Sequence, residues 1–589
     1  MILDGVKPSS ILVFTFTKKA ANELRDRIQA AVGEHAAKEM TICTYHSFCG
    51  KLLRRFAEHV GRNKNFSIYD EEDKKSILAP ICKKHSNFKY GEACEYISNF
   101  KMRNITASKA VQMKHDSSFA TLAARIYKEY DDTMTRCNAF DFDDLVFRAY
   151  LLLENFQEAR DFVHRKYKYI QSDENQDANH QNLDFILLLR GDEGNLCVVG
   201  DSDQSIYGFR GSDVANVLRV TSGTEFKHVT LGRNYRSTQT IVNASSDVIN
   251  KNVVRNKKVL TTQNEKGENI QVSRSKTTPE EVRKIALKIR ELHEVNGISY
   301  NNMAILVRLQ WHTREIERCL LDLAIPYQLK GILPFYARKE IKDMTSYLRL
   351  IANPNDMDAF SRVISVPKRN VGSTSIEKIL QKARQNTESC DIISVYKDLH
   401  FTSKIYNACK SFESMITNLR DIAFENVGQL LERIVKEIHY YDYLNDVFPE
   451  SADYNERKAN VEELIRFCSY YKNIPEFLEN FTVDPEDKED KNSVDGVNIM
   501  TMHGSKGLEF EVVFMTSMND NVCPFIKSQD SVSGIEEERR LFYVAMTRAK
   551  KRLFISYASQ YGTKGSMSQA AFASRFINEI PPQYKRYAL

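Results

Sequence analysis

The sequence predicts an α/β protein with two parallel-sheet layers, each interrupted by a mostly helical insertion. Three observations carry this. Near the start, short apolar runs rich in β-formers alternate with segments of helical spacing. The same alternation returns near residue 169 and again near residue 303. The stretches between, about 51–168 and 340–484, read mostly at a period of three to four.

Taken in order, residues 11–16, ILVFTF, form a strand after the turn residues Pro8, Ser9 and Ser10. Thr17 caps KKAANELRDRI, which puts Ala20, Leu24 and Ile28 on one helical face. This is the second half of a strand–crossover–strand unit, whose parallel partner normally comes earlier in a chain. TICTYHSF (41–48) is a short strand ending in polar residues, and KLLRRFAEHV, DEEDKKSILAPICKK and SFATLAARIYKEYDDTM are helical. Strands return in YKYIQSDE, LCVVGDSD and HVTLGRNY. In the second half NNMAILVR is a strand, EIERCLLDLAI a helix, and TVDPEDKEDKNSVDG an acidic linker. VNIMTMHG and EVVFMTSM are strands, EEERRLFYVAMTRA a strong helix, and RLFISYA the last strand.

Composition sets the class. The chain has 589 residues, enough for about four compact units. Its 42% hydrophobic and 27% charged residues are ordinary for a globular protein. No apolar run reaches the ~18 residues a membrane span needs, and Met1 leads into a strand rather than a signal peptide. A net charge of +5 permits a polyanionic partner without arguing for one. Eleven scattered cysteines with no C-x-x-C pair read as reduced thiols in a cytoplasmic protein.

Several segments carry chemistry. In YIQSDENQD a strand ends in Asp173-Glu174, where ligands sit in parallel sheets. Adjacent carboxylates there suit Mg²⁺, one holding the ion and the other polarising a water; the alternative is a solvated turn. VVGDSDQSIYGFRGSD brings Asp201, Asp203, Gln204, Arg210 and the aromatics Tyr207 and Phe209. Gln204 suits a phosphate sensor and the aromatics suit base stacking, unless both are core. In LGRNYRS, Arg236 can neutralise charge in phosphoryl transfer and Tyr235 can stack on a purine. MTMHGSKGLEF packs His503, Gly504, Ser505, Lys506 and Gly507 into one loop suited to a phosphate backbone. EEERRLFYVAMTRAKKRL sets acids at a helix start and Arg548, Lys550, Lys551 and Arg552 at its end, a pattern the helix dipole also explains.

Their order is the specific signal. TFTKKAANELRDRI, TYHSF, DENQD, GDSDQSIYGFRG, NYRS, TMHGSKGLEF and EEERRLFYVAMTRAKKRL resemble, in sequence order, motifs Ia, Ib, II, III, IV, V and VI of UvrD/Rep/PcrA-type superfamily 1 DNA helicases. Residues 337–367 also resemble that family. The resemblance implies two RecA-like P-loop NTPase-type lobes with helical insertions: lobe 1A at 1–50 and 168–240, insertion 1B at 51–167, lobe 2A at 241–339 and 494–589, and insertion 2B at 340–493. It implies an ATP-dependent 3′–5′ helicase acting on single-stranded DNA and single-strand/duplex junctions in repair or replication, as a monomer or weak dimer. Asp173 would hold Mg²⁺, Glu174 activate water, Gln204 sense the γ-phosphate, and Arg236 and Arg548 act as arginine fingers. Tyr235 would face the adenine and Glu509 the ribose, with Arg210 and Gly507 also at the nucleotide. Phe16, Tyr207 and Phe209 would stack on bases, and Thr15, His46 and His503 would touch the DNA backbone.

There are departures. Ser172 stands where an apolar residue is usual, Asn175 where a bulky one is common, and Asn370-Val371-Gly372 where the family's duplex-contacting turn has Gly-Ile-Gly. The family's segment before motif Ia carries a phosphate loop. Here the sole Gly-Lys pair is Gly50-Lys51, without the loop's other residues. The expectation is a truncated copy of a full helicase, unstable by itself. The alternative is a non-catalytic DNA-binding or partner-docking relative.

Overall fold

The computed structural model describes all residues except 70, 86–87, 193, 209–213, 215–217, 221–225, 331–337, 386–390, 450, 482–494, 562–568 and 589. The chain is mixed α/β with parallel sheets and forms two compact units: residues 1–278 with 505–589, and residues 279–504.

In the first unit, strands Ile11–Thr15 (β1), Thr41–Thr44 (β2), Tyr169–Ser172 (β3) and Asn195–Val198 (β4) form a parallel sheet in the order β2–β1–β3–β4. β1 is buried along its whole length, as an apolar run inside a parallel sheet should be. Thr17 accepts the Ala20 N–H at 3.1 Å and opens the helix Lys18–Val32. Leu24 and Ile28 pack on Ile11, Val13 and Ile42, while Leu12 and Phe14 face Tyr45 and Phe48 on the other side. Both faces of the sheet are thus covered, which is why the strand reads apolar rather than alternating.

Between β2 and β3 lies the expected helical material, including Glu71–Lys84, Tyr90–Met102, Ser118–Arg136 and Phe142–Asn155. Its core holds Ile97, Tyr127 and Tyr130. Lys101, 1% exposed, is buried with two carboxylates, its Nζ 2.8 Å from Asp141 and 3.0 Å from Asp144. Tyr130 donates to Asp141 at 2.9 Å. Arg148, 3.6 Å from Asp144, brings a second cation to the group, and buried charges are tolerated when they are paired in this way. Gln181, in the helix His180–Arg190, donates to the Lys101 carbonyl at 2.6 Å and fixes this material against the sheet.

A second parallel set in this unit comprises Ile270–Thr277 (β5), Phe510–Met515 (β6), Ala549–Tyr561 (β7) and Lys585–Ala588 (β8), paired β6–β7–β5–β8. Three sequence expectations need correction. HVTLGRNY is not a full strand: only Arg233–Asn234 pairs, with Thr261–Thr262. The helix Val532–Met546 starts at its Ser531 cap, so Glu536, Glu537 and Glu538 lie past its first turn. Glu536 and Glu538 are buried, and Glu536, Glu537 and Glu538 accept the backbone N–H groups of Val253, Gly208 and Phe525 instead of matching a dipole. Lys550, Lys551 and Arg552 fall in β7, not at a helix end. β8 was not foreseen.

In the second unit, Met303–Val307 and Tyr327–Leu329 flank Val497–Thr501, all parallel. Helices such as Lys339–Ala352, Val427–Glu437 and Ser451–Cys468 enclose a core containing Tyr347, Phe360, Phe412 and Leu430. The acidic linker expected at 482–496 falls largely outside the described residues. Among the described residues no helix is long and apolar enough to cross a membrane.

Candidate functional site

The first strand end is the turn after β3. Asp173 N donates to Phe14 O at 3.0 Å and Asn175 N to Val199 O at 2.9 Å, so β1 and β4 both hold it. Glu174 takes a left-handed conformation, φ 52°, which costs about 1–2 kcal/mol for a residue with a Cβ. Its N–H reaches Asp173 Oδ1 at 2.9 Å, and Gln176 Nε2 donates to its carboxylate. Burial raises the Asp173 carboxyl above its ordinary value, against the Glu174 N–H bond that lowers it. Ser172 is buried but not orphaned: its hydroxyl lies 2.8 Å from the Tyr45 hydroxyl.

The second strand end follows β4. Asp201 N donates to Gln176 Oε1 at 2.8 Å, linking the two turns. Asp201 accepts from Gln204 Nε2 at 2.8 Å and pairs with Lys258. Burial disfavours the Asp201 carboxylate, but Lys258 and Gln204 outweigh it and hold the carboxyl low. Arg255 grips fully buried Asp203 through Nε at 2.8 Å and an Nη at 2.6 Å. Beyond them, the rings of Tyr207 and Phe16 are parallel within 6° with centroids 6.5 Å apart. Phe209 and Arg210 lie outside the described residues.

Within the same unit, the charge of Glu174 acts on Arg548, as do those of Arg236 and Glu509. Arg236 Nε donates to Glu509 at 2.7 Å and one Nη to the Thr547 carbonyl at 3.4 Å. Lys550 Nζ also meets Glu509, at 2.6 Å. The bonds from Lys550 and Arg236 hold the Glu509 carboxyl well below the usual range. Arg548 is 2% exposed and its donors reach Val544 O, Leu508 O and Thr547 Oγ1 at 2.9, 3.2 and 3.1 Å. Burial, then the charge of Arg236, lowers it to about 10, and the charges of Glu174 and Glu509 act in the other direction. Tyr235 is 74% exposed, with the Arg233 guanidinium 4.7 Å from its ring. Gly507 has φ +82°, a left-handed turn that glycine accepts without strain.

Of the remaining sequence candidates, Thr15 is buried and donates to Thr17 O at 3.1 Å. His46 lies in the first turn of the helix Tyr45–Arg55, its ring 6.1 Å from that of Phe142. His503 belongs to the second unit, in the turn His503–Ser505. Sequence reasoning missed Phe142, which opens its helix beside the Asp141 capping box and is 52% exposed. It also missed the true partners of Lys506, which ion-pairs with Asp177 at 2.6 Å. A groove of about 1020 Å³ runs beside β4, lined by Asp173, Glu174, Gln204, Val229, Leu231 and Lys258 among others.

The donor set fits a hard divalent cation in part. Among the described residues no three His, Cys, Asp or Glu cluster as a metal cage. A cation held by Asp173 would take its other ligands from phosphate oxygens and water, as Mg²⁺ does.

Two family descriptions match: "UvrD/REP helicase N-terminal domain" over residues 1–225 and "UvrD-like helicase C-terminal domain" over residues 229–560. The chain is 37% identical over 593 residues to a protein of Staphylococcus epidermidis named "ATP-dependent DNA helicase PcrA", covering 98% of this chain and 80% of the relative. It is 36% identical over 596 residues to the Staphylococcus aureus protein of the same name, with the same coverage.

Proposed function

Because the chain belongs to the UvrD/Rep helicase family, we propose that it works as an ATP-driven motor on single-stranded DNA, moving 3′ to 5′ and parting duplexes at single-strand junctions. The observation that carries this is one compact unit in which a strand-end carboxylate pair, Asp173-Glu174, shares an electrostatic neighbourhood with Arg236, Glu509 and Arg548.

Each residue has a part. Asp173 holds Mg²⁺, and Glu174 takes the proton of the attacking water. Gln204 reads the terminal phosphate, and Arg236 and Arg548 offset the charge that develops there. Tyr235 faces the adenine and Glu509 the ribose, with Gly507 and, by its motif, Arg210 given nucleotide-binding roles. ATP hydrolysis with Mg²⁺ supplies the driving free energy. These 589 residues hold no G-x-x-x-x-G-K-[ST] run, so the backbone cradle for the β- and γ-phosphates is not among them. Phe16 and Tyr207 take a base between their faces, with a stacking role for Phe209; His46 touches the DNA backbone from the first unit, and His503 is a separate backbone contact on the second. Stacking tolerates any sequence, which suits a motor that must run on any strand. We place this work in DNA repair or replication in the cytoplasm.

Strand displacement on duplexes with a 3′ or a 5′ single-stranded tail tests the reading. For a form carrying a phosphate loop, ATP-dependent displacement of the 3′-tailed duplex alone is expected. Single-strand binding with no displacement by any form carrying a phosphate loop would favour a non-catalytic DNA-binding relative.

A further inference from the structure

The motif-V lysine does not face solvent where a DNA phosphate would sit. Lys506 Nζ is 2.6 and 2.7 Å from the two carboxylate oxygens of Asp177 and donates to the Gln204 carbonyl at 2.9 Å. An ammonium has three protons, and these contacts account for all of them. The same Nζ stands 3.6 Å from Glu174 Oε2 and 5.3 Å from the Tyr207 ring centroid. Its side chain is nearly buried.

These contacts join two places that sequence keeps apart. Asp177 closes the turn that begins at Glu174, its N–H donating to the Glu174 carbonyl at 3.0 Å. Gln204 and Tyr207 belong to the short loop after β4. That loop is gripped at both ends from residues 505–589: Lys506 holds the Gln204 carbonyl, and Glu537 accepts the Gly208 N–H at 2.8 Å. Tyr207, between the two grips, forms one wall of the slot with Phe16. A ring whose loop is clamped this way cannot shift without moving Lys506, and Lys506 cannot move without releasing Asp177 and changing the charge beside Glu174.

We propose that Lys506 is a positioning residue that couples the base slot to the Asp173-Glu174 turn, setting the Tyr207 ring through the Gln204 carbonyl and the Glu174 turn through Asp177. It does so without touching DNA. The inference rests on the reading of Phe16 and Tyr207 as a base slot. A base entering beside Tyr207 is then felt at the carboxylates, and by reciprocity a change at the carboxylates is felt in single-strand affinity.

The test uses the full chain and fluorescence anisotropy of a labelled dT oligonucleotide, with thermal melts to verify folding. Lys506→Met and Asp177→Asn are each expected to weaken binding at least threefold, and the double variant no more than the stronger single one. Neither is expected to weaken binding further in the Tyr207→Leu background, whereas a merely destabilising change would. The salt slope should match wild type in Lys506→Met, because a lost phosphate contact would reduce it by about 0.7. Independent, multiplying effects of Lys506→Met and Asp177→Asn overturn the proposal, as does a reduced salt slope. If Tyr207→Leu leaves dT binding unchanged, the base-slot reading fails and the coupling with it. If Tyr207→Leu weakens binding but the two other changes multiply, only the coupling fails.

Discussion

Phe16→Leu and Tyr207→Leu test the slot by removing one aromatic wall at a time. The two rings are parallel within 6° and 6.5 Å apart. A base in van der Waals contact with both faces needs about 7 Å between walls. The 6.5 Å centroid distance is the most that the gap between the ring planes can be, so the rings part by at least about 0.5 Å to take a base. Losing one aromatic face costs about 1–3 kcal/mol per base, a factor of about 5–150 in affinity. Leucine keeps apolar volume but not the flat face, so the loss reports stacking rather than a cavity. Anisotropy with dT and dA oligonucleotides of equal length reads it. Both variants should weaken both oligonucleotides by similar factors, because stacking does not read base edges. Losses below twofold in both variants, with folding intact, would refute the slot, and so would a loss confined to one base.

Two further predictions follow from burial. In Lys101→Met, Asp141 and Asp144 lose the ammonium at 2.8 and 3.0 Å, leaving Arg148, 3.6 Å from Asp144, and Lys74, whose charge acts on Asp141. Burial and Asp141 already raise Asp144 to about 6, so the variant should bind a proton in the folded state. A carboxyl raised in the folded state loses stability as pH climbs above its unfolded value of about 3.9, by up to about 4 kcal/mol at pH ~7 and about 1.5 at pH ~5. Hydrogen exchange of peptides covering 97–102 and 126–148 should speed up far more at the higher pH after correction for intrinsic rates; equal effects at both would contradict it. Separately, among the described residues β4 is the outer strand of its sheet, and Val229 and Leu231, the latter 79% exposed, lie along the groove beside it. An open edge flanked by apolar side chains invites association. Sedimentation should show concentration-dependent self-association that Val229→Lys with Leu231→Lys reduces; a monomer unaffected by the pair would contradict it.

Much of this was legible in the sequence, for physical reasons. The run at residues 11–15 is apolar because both sheet faces are covered, and Thr17 is the hydroxyl a helix start requires; both signals are local. Asp173-Glu174 was legible because a strand end announces itself by the switch from apolar to acidic residues. What stayed hidden depends on distant partners. Glu536, Glu537 and Glu538 looked like dipole-matched acids, yet each serves a backbone N–H from another segment. Lys506 looked like a phosphate ligand, yet its donors go to Asp177 and Gln204, some 300 positions earlier in the chain. HVTLGRNY carries strand composition, but only Arg233–Asn234 finds a partner, because pairing is decided by neighbours and not by propensity.

The central claim is that Glu174 acts on the same phosphates that Arg236 and Arg548 neutralise. Its most direct test is single-strand-stimulated ATP hydrolysis by this chain fused behind a strand, phosphate loop and helix, with and without Glu174→Gln. The account predicts stimulated turnover that Glu174→Gln lowers by about two orders of magnitude or more. Turnover that survives Glu174→Gln, or a fusion that stays silent with single strands bound, would contradict it.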